Sequence, residues 1–219
     1  MPIARVLEPE LMDDPTEAAE YDAMDHAAVN AAFVADFLST FDGASPGLVV
    51  DAGAGTALIA IELARRSAAT VLALDAAESM LSLAVENVRA AGLAGRVIPT
   101  RGNIRGIPLP AGAADAVVCN TVLHHLADPV EAVRDFVRVL RPGGTLFIRD
   151  LYRPDTQVEV ERLVALHAAD ATPTARKLFA DSLPAGLTLD EARQTAAAAG
   201  LDATVEMTSD RHWTLVARA

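Results

Sequence analysis

Five short aliphatic runs, GLVVDAG, VLALDA, RVIPTRGN, ADAVVCN and GTLFIRD, recur between residues 47 and 150. Longer stretches such as TALIAIELARR and AAESMLSLAVENVRAAG separate them, and these carry their apolar residues at helical spacing. Strands that alternate with helices predict a parallel sheet with helices packed on it.

The flanking signals agree. In ADPVEAVRDFVRVLRPGG, Asp128 as N-cap, Pro129 at the first position and Glu131 predict a capping box, with Val130, Val133, Val137 and Leu140 as the buried stripe and Pro142-Gly143-Gly144 as the stop. Thr188-Leu-Asp-Glu191 opens another helix that runs to Gly200. The tail DATVEMTSDRHWTLVARA then reads as two strands around the turn Ser209-Asp210-Arg211. Ahead of the sheet, Asp14-Pro15 starts a helical region that lasts to about residue 40, with Val29, Phe33 and Phe37 on one face, and Phe41–Gly47 breaks it. Segment 153–187 predicts a helix followed by a short helix or lid between Pro173 and Pro184. The expected organisation is an N-terminal helical cap, 1–44, and an α/β domain, 45–219, with 151–187 as lid or insertion, effectively one domain.

Composition narrows the partners. The 219 residues hold 18 Lys and Arg against 30 Asp and Glu, a net charge of −12, which opposes nucleic acid and anionic membranes as partners. The single cysteine, Cys119, sits in an apolar run and is expected to be a buried hydrophobe, so neither a disulfide framework nor a cysteine-rich metal site is available, and no metal is expected. The opening MPIARVLEPELMDD lacks a signal-like apolar core, and no segment has the roughly 18 uncharged apolar residues of a membrane span. A soluble cytoplasmic protein is the expectation, and its oligomeric state is not encoded in any motif.

The turn VVDAGAGT, residues 49–56, decides the ligand class. Ligands of open parallel sheets bind beyond the carboxyl ends of the strands, and Gly53 and Gly55 let backbone turn tightly and a ligand approach it. A dinucleotide fingerprint would place glycine at position 58, where this chain has Leu58, and Asp51 would oppose a pyrophosphate. An acid there favours a cationic or zwitterionic ligand. Asp75, at the end of the second strand, has two roles open to it: acceptor for both hydroxyls of a ribose, or N-cap for the helix that follows.

Taken together, VVDAGAGT, Asp75, GNIRGIPLP, DAVVCNTVLHHL and LRPGGTLFIRD resemble the class I S-adenosylmethionine-dependent methyltransferases, in particular the small-molecule branch that includes quinone-biosynthesis enzymes. The resemblance implies an α/β, Rossmann-like, doubly wound sheet of seven strands with the last antiparallel. It implies S-adenosylmethionine as cofactor, with Gly53, Ala54 and Gly55 against its methionine portion and Asp51 near the ammonium group. Asp75 and Ala76 would meet the ribose, Met80 the adenine, Asn103 and Ile104 the adenine edge, and Asn120 and Thr121 the methionine end. Where the family most often has Asp, this chain has Asn103, which keeps an acceptor oxygen.

For the chemistry, a hydroxyl or ammonium nucleophile requires a base, and histidine is suited to it. One of His124 and His125 is expected to face the cleft, with His125 the catalytic candidate. Asp150-Leu-Tyr152-Arg153 and Ser209-Asp210-Arg211-His212 are expected on the ligand side, where Arg153 or Arg211 would anchor an anionic acceptor and His212 or Tyr152 would serve as base. A surface cluster of ion pairs with Asp150, Asp155 and Asp210 is the competing explanation. Tyr21 and His26 are lid candidates, with Tyr21 near the substrate, and Trp213 is expected to anchor the last strand in the core. The expected function is methyl transfer to a small molecule, with an inactive methyltransferase-like binding module as the alternative; Asp51 and Leu58 weigh against a nicotinamide-dependent oxidoreductase.

Overall fold

A computed structural model describes residues 3–9, 13–41 and 45–219. Part of the expected break at Phe41–Gly47, with the boundary at 44, falls on residues 42–44 and lies outside the described residues.

Each aliphatic run becomes a strand: β1 (Leu48–Ala52), β2 (Thr70–Asp75), β3 (Val97–Arg101), β4 (Ala114–Asn120) and β5 (Leu140–Leu151). These five are parallel, and the sheet is completed by β6 (Ala203–Met207) and β7 (His212–Arg218) in the order β3-β2-β1-β4-β5-β7-β6. β7 runs antiparallel to both neighbours. The strand order reverses between β1 and β4, which is where such sheets open a ligand crevice.

Helices cover both faces because every central strand is apolar on both sides. Val49, Val71, Ala116, Val118 and Phe147 point to one face and meet α2 (Ala27–Ser39), α3 (Leu58–Arg66) and α4 (Glu78–Ala90). Their strand neighbours Val50, Val117, Cys119, Leu146 and Ile148 point to the other, against α5 (Val130–Val139) and α8 (Leu189–Ala198). Trp213 is fully buried there, and its indole N–H donates to the Leu151 carbonyl at 3.0 Å. Between these layers and the carboxyl edge, α6 (Gln157–His167) and α7 (Pro173–Ala185) form a smaller apolar cluster of their own with Leu151.

The N-terminal region divides into α1 (Pro15–Asp22) and α2, with Asp14 accepting from the Thr16 and Glu17 amides as N-cap. Phe33 and Phe37 lie edge-on to Phe147, so α2 belongs to the main core. Val29, expected on the same stripe, is half exposed.

Two local expectations meet different fates. Thr188 and Glu191 form a reciprocal capping box at α8. At α5, Asp128 accepts from the Val130 amide at 2.9 Å, but no box closes through Glu131. The buried face is Ala132, Val133, Phe136 and Val139, with Val130 and Val137 only partly covered, so the face turned to the sheet is rotated from the expected stripe and takes in Phe136.

Candidate active site

The carboxyl ends of β1, β2, β4 and β5 open into a cleft of about 620 Å³. Asp51 projects into it from the end of β1. The residue is only 2% exposed, and its Oδ2 has no hydrogen-bond partner among the described residues. Burial, together with the nearby Asp75, pushes its carboxyl up to about 7. A buried acid in this state is poised to meet a cation.

The glycine turn takes shape through β2. The Gly53 and Ala54 amides both donate to the Leu74 carbonyl, at 2.8 and 2.9 Å, and the Gly55 amide donates to Asp75 Oδ2 at 2.8 Å. Backbone amides that would cradle a pyrophosphate are therefore already engaged. Gly53 has φ +80°, and a Cβ there would lie 2.4 Å from Val122 Cγ2, so only glycine fits.

Asp75 is not the N-cap of α4, which is Ala77; its carboxylate instead ties down two loop amides. Its Oδ1 accepts from the Ala77 amide at 2.9 Å at the start of α4, while Oδ2 holds Gly55. Each oxygen keeps a lone pair for a ligand hydroxyl. Burial raises this carboxyl too, against the pull of its backbone donors. Ala76 and Met80 line the cleft beside it, and Met80 packs with Ala18, Ala77 and Tyr21. Asn103 and Ile104 form the opposite wall, where Asn103 Oδ1 accepts from the Arg105 amide at 2.8 Å. Asn120 and Thr121 close the β4 side. Thr121 holds φ +53°, a left-handed conformation unusual for a branched residue and of a kind that clusters at ligand sites.

Comparison with known proteins follows the same lines. Residues 50–148 match the family model described as a methyltransferase domain. Over that stretch the chain is similar to methyltransferase domains. Over 135 residues it is 26% identical to the ubiquinone/menaquinone biosynthesis C-methyltransferase UbiE of Geobacter sulfurreducens, covering 61% of this chain and 52% of that protein. The Vibrio cholerae enzyme of the same name is 30% identical over 115 residues, 51% of this chain and 44% of that one. The chain thus spans about half the length of these curated relatives. Among solved structures, a SAM-dependent methyltransferase from Aquifex aeolicus superposes with a TM-score of 0.71 at 21% identity, covering 94% of this chain and 98% of that one.

The rest of the cleft is lined from β5, the β6–β7 turn, α1, α7 and segment 3–9. Tyr21 lines it with its ring 4.7 Å from that of His26, and burial with the charges of Asp51 and Asp75 raises its phenol. Arg211 and His212 also reach the lining. Arg211 Nη1 is shared with Asp210, at 3.2 Å, and the His167 ring. His212 is driven down to about 4 by burial and by the Arg211 charge, so it is a neutral imidazole near pH 7.

Tyr152 and Arg153 lie elsewhere, which corrects the expectation from sequence. Side chains alternate along a strand, and it is Arg149 and Leu151 that face the cleft from the end of β5. Tyr152 packs against the core beneath α5 and α8 and bridges to Leu187. Arg153, one residue past the sheet, turns toward α8, donating to the Gly186 carbonyl at 3.1 Å and to Glu191 Oε1 at 2.6 Å. Arg149 was missed; its guanidinium rests on Phe33 and Phe147 and donates to Asp36 Oδ2 at 2.7 Å. Its position two residues before Leu151 was the available signal.

Also missed was the environment of the histidine pair. Both His124 and His125 line the cleft. His124 is buried, and its Nδ1 donates to Asp150 Oδ1 at 2.7 Å. Asp150 further accepts from the Val122, Leu123 and Leu151 amides; although burial would raise its carboxyl, His124 and these donors hold it below its ordinary value. Among the described residues no helix is long and apolar enough to cross a membrane.

Proposed function

We propose that this chain transfers the methyl group of S-adenosylmethionine to an anionic small molecule. The observation that carries the cofactor half is the buried Asp51 Oδ2, which lacks a hydrogen-bond partner beside a turn whose amides are already bonded. A ligand with an ammonium group and without a pyrophosphate fits that chemistry. Gly53 and Gly55 leave room along the backbone, Asp75 has lone pairs for the ribose hydroxyls, and Met80, Asn103 and Ile104 frame the base.

The cofactor supplies an electrophilic methyl group on a positively charged sulfur. The residues of this chain then have two tasks, to align the acceptor for in-line attack and to keep water out, and alignment alone accounts for roughly 7–11 kcal/mol of such a barrier. Tyr21 and α1, packed against the Met80 side of the cleft, suit the second task. Arg211 and Arg149 place positive charge on the lining of a chain of net charge −12, which supports an anionic acceptor such as a phenolate or carboxylate. A base as weak as His212 removes few protons. The histidine pair after β4 is the better placed group to act on the acceptor.

Release of S-adenosylhomocysteine across a panel of phenols, carboxylic acids and thiols tests the proposal. Turnover with an anionic member supports it. Cofactor binding by calorimetry with no turnover on any member would make the chain a binding module.

A further inference from the structure

The histidine pair has a third partner from far along the chain. Arg5 clamps segment 3–9 onto the loop after β4: its guanidinium donates to the carbonyls of His124 at 3.1 Å, Leu126 at 2.9 Å and Ala185 at 2.8 Å. The Val6 amide donates to the Pro184 carbonyl at 3.2 Å, extending the attachment to the end of α7. This clamp delivers Glu8 to the cleft, where Ser182 Oγ donates to its Oε1 at 3.1 Å. The other oxygen, Oε2, is buried without a hydrogen-bond partner among the described residues. It lies 3.5 Å from His124 Nε2 and 3.7 Å from His125 Nδ1.

Those separations are long for charge-assisted hydrogen bonds, which run at about 2.7–2.9 Å. They match the edge of a tetrahedron of donors around a cation with bonds of about 2.1 Å, roughly 3.4 Å. All three donor atoms fall within 4.8 Å of one another. The two imidazoles lie side by side, with ring centres 4.1 Å apart. Asp150 completes the arrangement, because its carboxylate takes the Nδ1 proton of His124 in a hydrogen bond and leaves Nε2 with its lone pair toward Glu8. A carboxylate behind a ligating histidine is the usual way such a ring is oriented.

We propose that Glu8, His124 and His125 bind a divalent first-row transition ion, with Asp150 as the positioning residue behind His124. Two imidazoles and one carboxylate leave coordination positions for an exogenous oxygen or sulfur, and the ligand atoms belong to residues that line the same cleft as Asp51 and Thr121. The ion's use rests on the methyl-transfer reading; its binding does not. In that use, the acceptor's hydroxyl or thiol binds the ion as its anion and releases a proton to solvent. Its lone pair then forms the bond to the methyl carbon as the carbon–sulfur bond breaks, leaving S-adenosylhomocysteine.

Tag-free protein dialysed against a chelator is titrated with Zn²⁺ by calorimetry and, separately, with Co²⁺ by visible absorption. Wild type is expected to bind one equivalent of Zn²⁺ and to give the d–d bands of a nitrogen- and oxygen-ligated Co²⁺. Glu8→Gln, which keeps the side chain's shape, and His125→Ala are expected to weaken Zn²⁺ at least about tenfold while S-adenosylmethionine still binds the metal-free variants. Absence of saturable one-site binding in wild type, or unchanged affinity in both variants, overturns the proposal. Zn²⁺ binding in a chain that binds no S-adenosylmethionine would leave the metal site standing and remove the methyl-transfer reading.

Discussion

The Gly55 amide donates to Asp75 Oδ2 at 2.8 Å, so the tip of the β1–α3 turn hangs from the carboxyl end of the neighbouring strand. The other Asp75 oxygen receives the Ala77 amide at the start of α4. One side chain thus sets the shape of the turn and the direction of the next helix, while its remaining lone pairs face the cleft.

Replacing Asp75 by Asn leaves one oxygen for two amides that now have one each. Loss of a hydrogen bond to a charged group is worth about 1.5–3 kcal/mol. Asp75→Asn is therefore expected to weaken S-adenosylmethionine about 10- to 100-fold in calorimetry. An unchanged dissociation constant would show that the residue serves the turn alone.

Asp51 gives a pH signature. Its carboxyl ionises at about 7 in the folded chain against an ordinary 3.8. A carboxyl whose pKa rises on folding holds its proton more tightly in the fold. Its stabilising contribution is complete below about pH 4 and is lost as pH climbs through about 7. Asp51→Asn carries no such proton, so at pH 8 the ligand-free variant should gain on wild type by up to about 4 kcal/mol relative to their difference at pH 4. The same variant should bind S-adenosylmethionine at least about tenfold more weakly, since a charged partner is gone. Chemical denaturation at several pH values checks the first expectation; a pH-independent difference would sink it.

Gly53 and Gly55 should respond differently to alanine. At Gly53 the new Cβ lies 2.4 Å from Val122 Cγ2 on a backbone with φ +80°. Overpacking of that kind costs about 1–3 kcal/mol, and left-handed backbone adds roughly 1–2 kcal/mol. Pairing Gly53→Ala with Val122→Ala should recover the packing part in thermal melts and leave the backbone part. At Gly55, with φ +52°, a Cβ meets nothing within 4 Å, so only the backbone cost of roughly 1–2 kcal/mol is expected.

Arg153 and Arg211 separate structure from recognition. Arg153 is nearly buried and joins β5 to the cap of α8 through Gly186 and Glu191. Arg153→Ala should lower stability by about 2–3 kcal/mol and leave the acceptor KM of the folded enzyme within about twofold. Arg211→Ala should raise that KM about tenfold, the weight of a hydrogen bond to a charged group. Steady-state kinetics with an accepted substrate, beside denaturant melts, tells the two apart; a KM insensitive to Arg211 would exclude it as the anchor.

The features legible in the sequence were those whose causes are local. Alternating aliphatic and helical runs determined a parallel sheet with helices on both faces, since periodicity reports which faces of an element are buried. The turn VVDAGAGT, with its acid before the glycines, and the acid ending VLALD located one side of the cleft, the side proposed for the cofactor, because a strand's last residues and the loop that follows must lie at the carboxyl edge. Tertiary structure alone decided the rest of the lining, the side proposed for the acceptor. The parity of β5 put Arg149 and not Tyr152 on the lining, and departure from the sheet turned Arg153 toward α8. The Arg5 clamp brought Glu8 to His124 and His125, a meeting that sequence spacing does not announce. Periodicity and turn chemistry depend on a residue's near neighbours, whereas the direction of a side chain beyond a strand's end depends on which distant segment offers it a carbonyl or a charge.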